Sequence, residues 1–151
     1  MGSFDSVDKI LDFAIRKEEE AYEFYKSLSE KVRPHMKEVF EGFAKEELGH
    51  RNKLIKVKEG KLVLKPSFRK IDDLKISEYL VDIPASPSMS YEKALIVAMK
   101  REEASHRLYT ILADLTDDDS LRSTFLALAE EEAKHKLRVE KEYDDFLSSD
   151  N

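Results

Sequence analysis

Apolar residues recur at the three-to-four-residue spacing of an α-helix through four long blocks, roughly 6–32, 35–59, 90–114 and 119–147. Four long amphipathic helices are predicted. Ser6 and Ser90 suit N-caps with acids in the following turn, Pro34 suits the first turn of the second helix and Gly60 its C-terminal cap. The first two blocks are joined through Val32-Arg33-Pro34 and the last two through Thr116-Asp117-Asp118-Asp119, links short enough to force antiparallel hairpins. Between the hairpins lie about thirty residues of another character, with a Leu62-Val63-Leu64 run, an expected short helix over 71–81 and a Pro/Ser loop from Pro84 to Ser88. That stretch is long enough to cross a bundle from end to end.

The hairpins are related in sequence. Ala14-Ile15-Arg16-Lys17-Glu18 and Tyr25 match Ala98-Met99-Lys100-Arg101-Glu102 and Tyr109, while Phe40, Phe43-Ala44, Glu47 and His50 match Phe125, Leu128-Ala129, Glu132 and His135. The predicted fold is all-α: a four-helix bundle of two related antiparallel hairpins joined by a long crossover.

Composition narrows the function. At 151 residues the chain has the length of one domain, expected to span 1–151, and its four Gly and four Pro argue against a turn-rich β fold. Its 26 basic and 32 acidic residues are spread along the chain, so the net charge of −6 offers no basic surface, and nucleic acid is not an expected partner. No apolar run approaches the roughly 18 to 20 residues of a membrane span and no signal-peptide pattern is visible, so no membrane partner and a cytoplasmic location are expected. Met1-Gly2-Ser3-Phe4-Asp5-Ser6 fits the short N-myristoylation pattern, which carries little weight alone. With no cysteine, strong metal ligands are confined to His, Asp and Glu.

The anomaly is a carboxylate on every apolar stripe. Glu18 is surrounded at helical spacing by Ala14, Ile15, Ala21, Tyr22 and Tyr25; Glu47 and His50 by Phe40, Phe43, Ala44, Leu54 and Val57. Glu102 sits among Leu95, Ala98, Ser105 and Tyr109, and Glu132 with His135 among Phe125, Leu128 and Val139. Residue counts from each acid to its hairpin turn are nearly equal, so all six side chains are expected at one level of the bundle. Four buried carboxylates repel one another unless positive charge is present, and two divalent ions balance them. Two Glu-x-x-His pairs plus one Glu from each remaining helix are the ligand set of dinuclear iron or manganese carboxylate sites in four-helix bundles. Zinc, four-coordinate in closed structural sites, suits this oxygen-rich set less well.

Chance predicts about half an instance of Glu-x-x-His at this composition, and three occur. The third, Glu103 with His106, is out of phase: Glu103 is flanked by Lys100 and Arg107 on the expected solvated side, whereas His106 shares the repeat position of Tyr22 and is a candidate for a supporting role beside the ligands. His35, next to Pro34, is expected to be exposed. Of the runs Glu18-Glu19-Glu20 and Glu130-Glu131-Glu132, one member each falls on the stripe. Tyr25 and Tyr109 lie two turns beyond Glu18 and Glu102 on the same face, and serve either as core aromatics or as hydrogen-bond donors and one-electron relays near the metals.

At these residues the sequence resembles the ferritin-like superfamily and, within it, the rubrerythrin family. The resemblance rests on Ala-Ile-x-x-Glu-x-x-Ala-x-x-Phe-Tyr at 14–25, Phe-Ala-x-Glu-Glu-x-x-His at 43–50, Glu102, and Leu-Ala-x-Glu-Glu-x-x-His at 128–135. It implies that Glu18, Glu47, His50, Glu102, Glu132 and His135 hold two iron ions and act through them, with Glu47 or Glu132 among the shared carboxylates. It further implies an oxidoreductase, concerned with oxidative stress, that reduces hydrogen peroxide or O2 with electrons from an external donor; more distant relatives oxidise Fe(II) and store iron, the alternative reading. A homodimer is implied too. Typical rubrerythrins carry a further glutamate three residues after the third-helix ligand, where this chain has Ser105, and usually a Cys-ligated iron domain, for which this sequence has no cysteine.

Overall fold

A computed structural model describes residues 7–32, 34–60 and 89–149. Among them the chain forms α1 (Val7–Ser29), α2 (Pro34–Glu59), α3 (Tyr91–Leu115) and α4 (Asp119–Ser149). Each predicted block is a helix with ends displaced by three residues or fewer. The largest shift is at the end of α1. There Glu30 N–H and Lys31 N–H turn to the Ser27 and Leu28 carbonyls at 3.2 and 3.0 Å, tightening the last turn, while the Ser29 hydroxyl donates to Lys26 O at 2.7 Å.

The other ends follow local chemistry. Pro34 opens α2, where its missing N–H leaves no bond unmade. Gly60 N–H closes α2 on Lys56 O at 2.8 Å. The extended Ser90 caps α3 by accepting from Lys93 N–H at 3.1 Å. Asp118, preceding α4, accepts from Leu121 N–H at 2.8 Å. The expected Ser6 cap, the Met1–Ser6 pattern, the Leu62–Leu64 run, the 71–81 helix and the 84–88 loop lie outside the described residues.

α1 packs along α2 and α3 along α4, and α1 also approaches α3, giving a four-helix bundle of two hairpins. The core falls into two apolar clusters. One joins Ile10, Leu11, Phe13 and Ala14 of α1 to Leu54 and Val57 of α2, the end of α3 and the start of α4, including Phe125 and Leu128. The other joins Tyr25 and Leu28 to Met36, Phe40 and Phe43, the start of α3, and Val139. Repeat mates occupy opposite clusters: Phe40 is in one and Phe125 in the other, Leu54 in one and Val139 in the other. The hairpins are therefore related by an approximate two-fold that exchanges the ends of the bundle, and α2 finishes at the end opposite to the start of α3. Truncating Phe40 or Phe125, each with no exposed surface, is expected to cost about 3–5 kcal/mol. Between the clusters, at mid-length, the core turns polar.

Candidate metal centre

All six side chains expected in that layer are there, each 0–3% exposed: Glu18 from α1, Glu47 and His50 from α2, Glu102 from α3, Glu132 and His135 from α4. They come together because each occupies mid-stripe on a helix whose flanking turns are anchored in the two apolar clusters. Ligand atoms from Glu18, Glu47, His50 and Glu132 lie within 4.8 Å of one another, and so do atoms from Glu47, Glu102, Glu132 and His135. Glu47 and Glu132 belong to both groups. His50 Nδ1 is 2.9 Å from Glu132 Oε1, 3.1 Å from Glu47 Oε1 and 3.3 Å from Glu18 Oε2. His135 Nδ1 is 3.3 Å from Glu102 Oε2 and 3.7 Å from Glu47 Oε1. The imidazole rings are nearly parallel, at 14°, with centroids 6.3 Å apart.

Close approach has not made these atoms satisfied. Glu47 Oε1, His50 Nδ1, Glu102 Oε1 and both oxygens of Glu132 are buried without a hydrogen-bond partner among the described residues. Each belongs to a side chain whose ligand atom, with its lone pairs, gathers in one or both of the two groups above. A buried polar group left so costs about 1–3 kcal/mol, more when charged, and a cation coordinated by those lone pairs removes the cost. One imidazole nitrogen with three carboxylate oxygens in each group, two of the acids shared, fits a pair of oxygen-preferring divalent ions.

Without metal the layer neutralises itself with protons. Burial, reinforced by the charge of Glu47, pushes Glu18 up to about 8. Glu132 is raised well above the ordinary carboxylate value by burial and by Glu102, Glu47 and Glu18, and Glu102 is raised by burial and Glu47. Burial works to raise Glu47 as well, but the adjacent His50 and Glu132 side chains and the charge of His135 hold it below its ordinary value. For the histidines burial favours the neutral ring and is outweighed: Glu18 and Glu47 lift His50 to about 11, and Glu102 and Glu47 lift His135 to about 9.

A second ring of contacts fixes the first, and every member crosses between hairpins. The Tyr25 hydroxyl of α1 donates to Glu102 Oε2 of α3 at 2.5 Å, and the Tyr109 hydroxyl of α3 donates to Glu18 Oε2 of α1. Burial beside these acids raises both phenols well above their ordinary value, so they remain donors. His50 Nε2 contacts Glu131 of α4, and His135 Nε2 contacts Glu46 of α2. With Nε2–H held outward by an acid, Nδ1 is the nitrogen that gives up its proton when a metal ion takes over the positive charge, and it then presents its lone pair to the layer. Glu46 and Glu131 escaped sequence reasoning because their side chains, 54% and 43% exposed, lie off the apolar stripe. The available signal was that both precede a stripe glutamate at the same repeat position.

The remaining candidates lie elsewhere. Glu103 is exposed and 3.6 Å from Arg107, on the solvated face as expected. His106 meets backbone, its Nδ1 2.8 Å from Ala129 O, rather than the six side chains. His35 is 54% exposed as expected, yet its Nε2 is 3.1 Å from Glu142 Oε1. Glu142, which the sequence reading did not single out, is buried and also accepts from the Tyr91 hydroxyl at 2.7 Å.

A family model, Rubrerythrin, matches residues 9–79 and 93–151. No curated protein and no solved structure matches significantly. The matched stretches take in all six side chains of the buried layer and most of each helix, and the chain belongs to the rubrerythrin family of ferritin-like di-iron proteins.

Proposed function

We propose that this chain is a non-haem di-iron oxidoreductase that reduces hydrogen peroxide to water with electrons from a separate donor. The observation that carries the reading is the set of five unpartnered buried ligand atoms at mid-bundle, two from the first hairpin and three from the second. Glu18 and His50 would hold one iron, Glu102 and His135 the other, and Glu47 and Glu132 both. Bound there, two ferrous ions supply one electron each and Lewis acidity toward the O–O bond, so that H2O2, two electrons and two protons give two waters.

The chain's own contribution is arrangement. Tyr25 and Tyr109 donate to Glu102 Oε2 and Glu18 Oε2, the oxygens 3.3 Å from His135 Nδ1 and His50 Nδ1, and so fix both carboxylates in the layer. Glu46 and Glu131 orient the imidazoles. The apolar clusters above and below exclude bulk water, which strengthens every electrostatic interaction between them.

Elemental analysis after anaerobic Fe(II) loading is expected to give two irons per chain, both lost in a Glu47→Ala/Glu132→Ala variant. Stopped-flow mixing of the ferrous protein is then expected to show oxidation by peroxide far faster than by O2. Equally slow oxidation by the two overturns the peroxidase reading, and iron accumulating well beyond two per chain replaces it with sequestration.

A further inference from the structure

Where the seam between α1 and α3 meets the acid layer there is a cavity of about 40 Å³. Its inner wall includes Glu47, Glu102 and Tyr25; Ala21 and Ser105, which are repeat mates on the two helices, also line it. Two features make it more than a packing defect. It touches the layer at one edge: Glu47 and Glu102 line it, whereas Glu18, His50, Glu132 and His135 do not. It also leads outward, since Glu20, Phe24 and Arg101 line both this cavity and a wider groove of about 610 Å³ along α1 and the start of α3.

Building on the di-iron reading above, we propose that this cavity seats the exogenous oxidant, admits only molecules of two or three heavy atoms, and delivers them to the Glu47–Glu102 edge of the centre. A water needs roughly 10–15 Å³ measured in this way, so the space holds about three. Hydrogen peroxide fits, and an alkyl hydroperoxide with a branched carbon group does not. The wall suits a small polar guest: Glu102 Oε1 is one of the buried oxygens without a partner, and Ser105 supplies a hydroxyl. The size limit is set where the helices come close with small side chains. Leucine at 21 or 105 adds two or three heavy atoms, enough to fill the space.

Azide, a linear three-atom anion, is the probe. Ferric protein loaded with two irons is titrated with azide and followed by the charge-transfer absorption of the complex, in wild type, Ala21→Leu and Ser105→Leu. The expected result is unchanged iron content with azide affinity at least ten-fold lower in both variants. A Leu108→Ala variant, which removes bulk from the same wall, is expected to reduce the preference for H2O2 over tert-butyl hydroperoxide at least ten-fold. It keeps the test decisive should a filled variant fold poorly. Iron content intact in all proteins with azide affinity within two-fold of wild type, or no change in peroxide preference on enlarging the wall, overturns the assignment and leaves the di-iron reading standing. Failure of the wild type to bind iron overturns both.

Discussion

Glu132 and Glu142 lie about three turns apart on α4, and both are essentially removed from solvent. Their surroundings differ completely. Glu142 uses both oxygens, one close to His35 Nε2 and the other accepting from the Tyr91 hydroxyl. Both oxygens of Glu132 are unpartnered and share their space with three further acids and two imidazoles. The repeat makes the same distinction. The mate of Glu132 is Glu47, whereas the mate of Glu142 is Val57, a buried aliphatic residue. Burial of an acid therefore does not mark a site in this bundle; convergence without satisfaction does. Glu142 ties the start of α2 and the start of α3 to the end of α4, and the central layer waits on something brought from outside.

The largest expected effect follows from that difference. Metal binding to the folded chain alone should stabilise it by about 4 kcal/mol per ion at a free concentration a thousand-fold above Kd. Glu47→Ala/Glu132→Ala should abolish the gain in Tm on adding Fe(II) anaerobically, or Mn(II), as seen by calorimetry. The metal-free variant has lost acid crowding but also the Glu47 charge that helps keep His50 and His135 protonated, so the readout is the gain on adding metal rather than the metal-free Tm itself. A variant that still gains on adding metal would erase the distinction between the two clusters.

pH sharpens the comparison. In the metal-free layer Glu18 titrates near 8 instead of 4.5, His135 near 9 and His50 near 11 instead of 6.5. The folded chain holds these protons more tightly than the unfolded chain. The stability they confer is complete below the unfolded values and lost as pH rises through the folded ones. Lowered Glu47 works in the opposite sense, with its effect confined below its ordinary value of 4.5. Metal-free Tm should therefore fall between pH 6 and 9. Metal ions displace the same protons, so their affinity should rise over that range, by up to ten-fold per pH unit for each proton released. The Tm gap between loaded and metal-free protein should widen with pH, and a gap that narrows would contradict the proton-filled layer.

What the sequence made legible divides along the same line. The helices and the six layer residues followed from one apolar stripe per helix, duplicated, because burial at helical spacing is a local property that a single segment displays. The contacts holding those residues in place are not local. Glu46 reaches His135, and Glu131 reaches His50, from one hairpin to the other and from side chains that face solvent for half their surface. Nothing in a hydropathy pattern separates them from the ordinary surface acids beside them. Glu142 was nearer to being readable: it falls seven residues after His135, on the same face as Val139. Its partners were not readable, since His35 is exposed by every local criterion and meets Glu142 only when the hairpins pair.

Tyr25 and Tyr109 come next in size. Replacing both by Phe removes the donors to Glu102 and Glu18 while preserving ring packing such as the Tyr25–Phe40 stack at 5.8 Å. Leaving a buried carboxyl oxygen without its donor should cost about 1–3 kcal/mol per site in metal-free protein. The iron count should stay at two, and peroxide turnover should fall if the hydroxyls hold the acids in position. Unchanged turnover would reduce the tyrosines to core aromatics.

The smallest effect belongs to Glu142, and it tests the comparison most directly. Glu142→Val installs the residue its repeat mate already uses. The His35 partnership joins a half-exposed ring to a buried acid, is partly screened by water, and contributes about 1 kcal/mol. The Tyr91 hydroxyl loses its acceptor, worth about 1 kcal/mol, but Tyr91 is half-buried and water can replace the acid in part. Thermal denaturation should therefore register a loss of about 1–2 kcal/mol, with iron content, azide affinity and the pH dependence of metal binding unmoved. Loss of iron from this variant would mean that the end of the bundle and its centre act as one polar network, and that the satisfied acid belongs to the site after all.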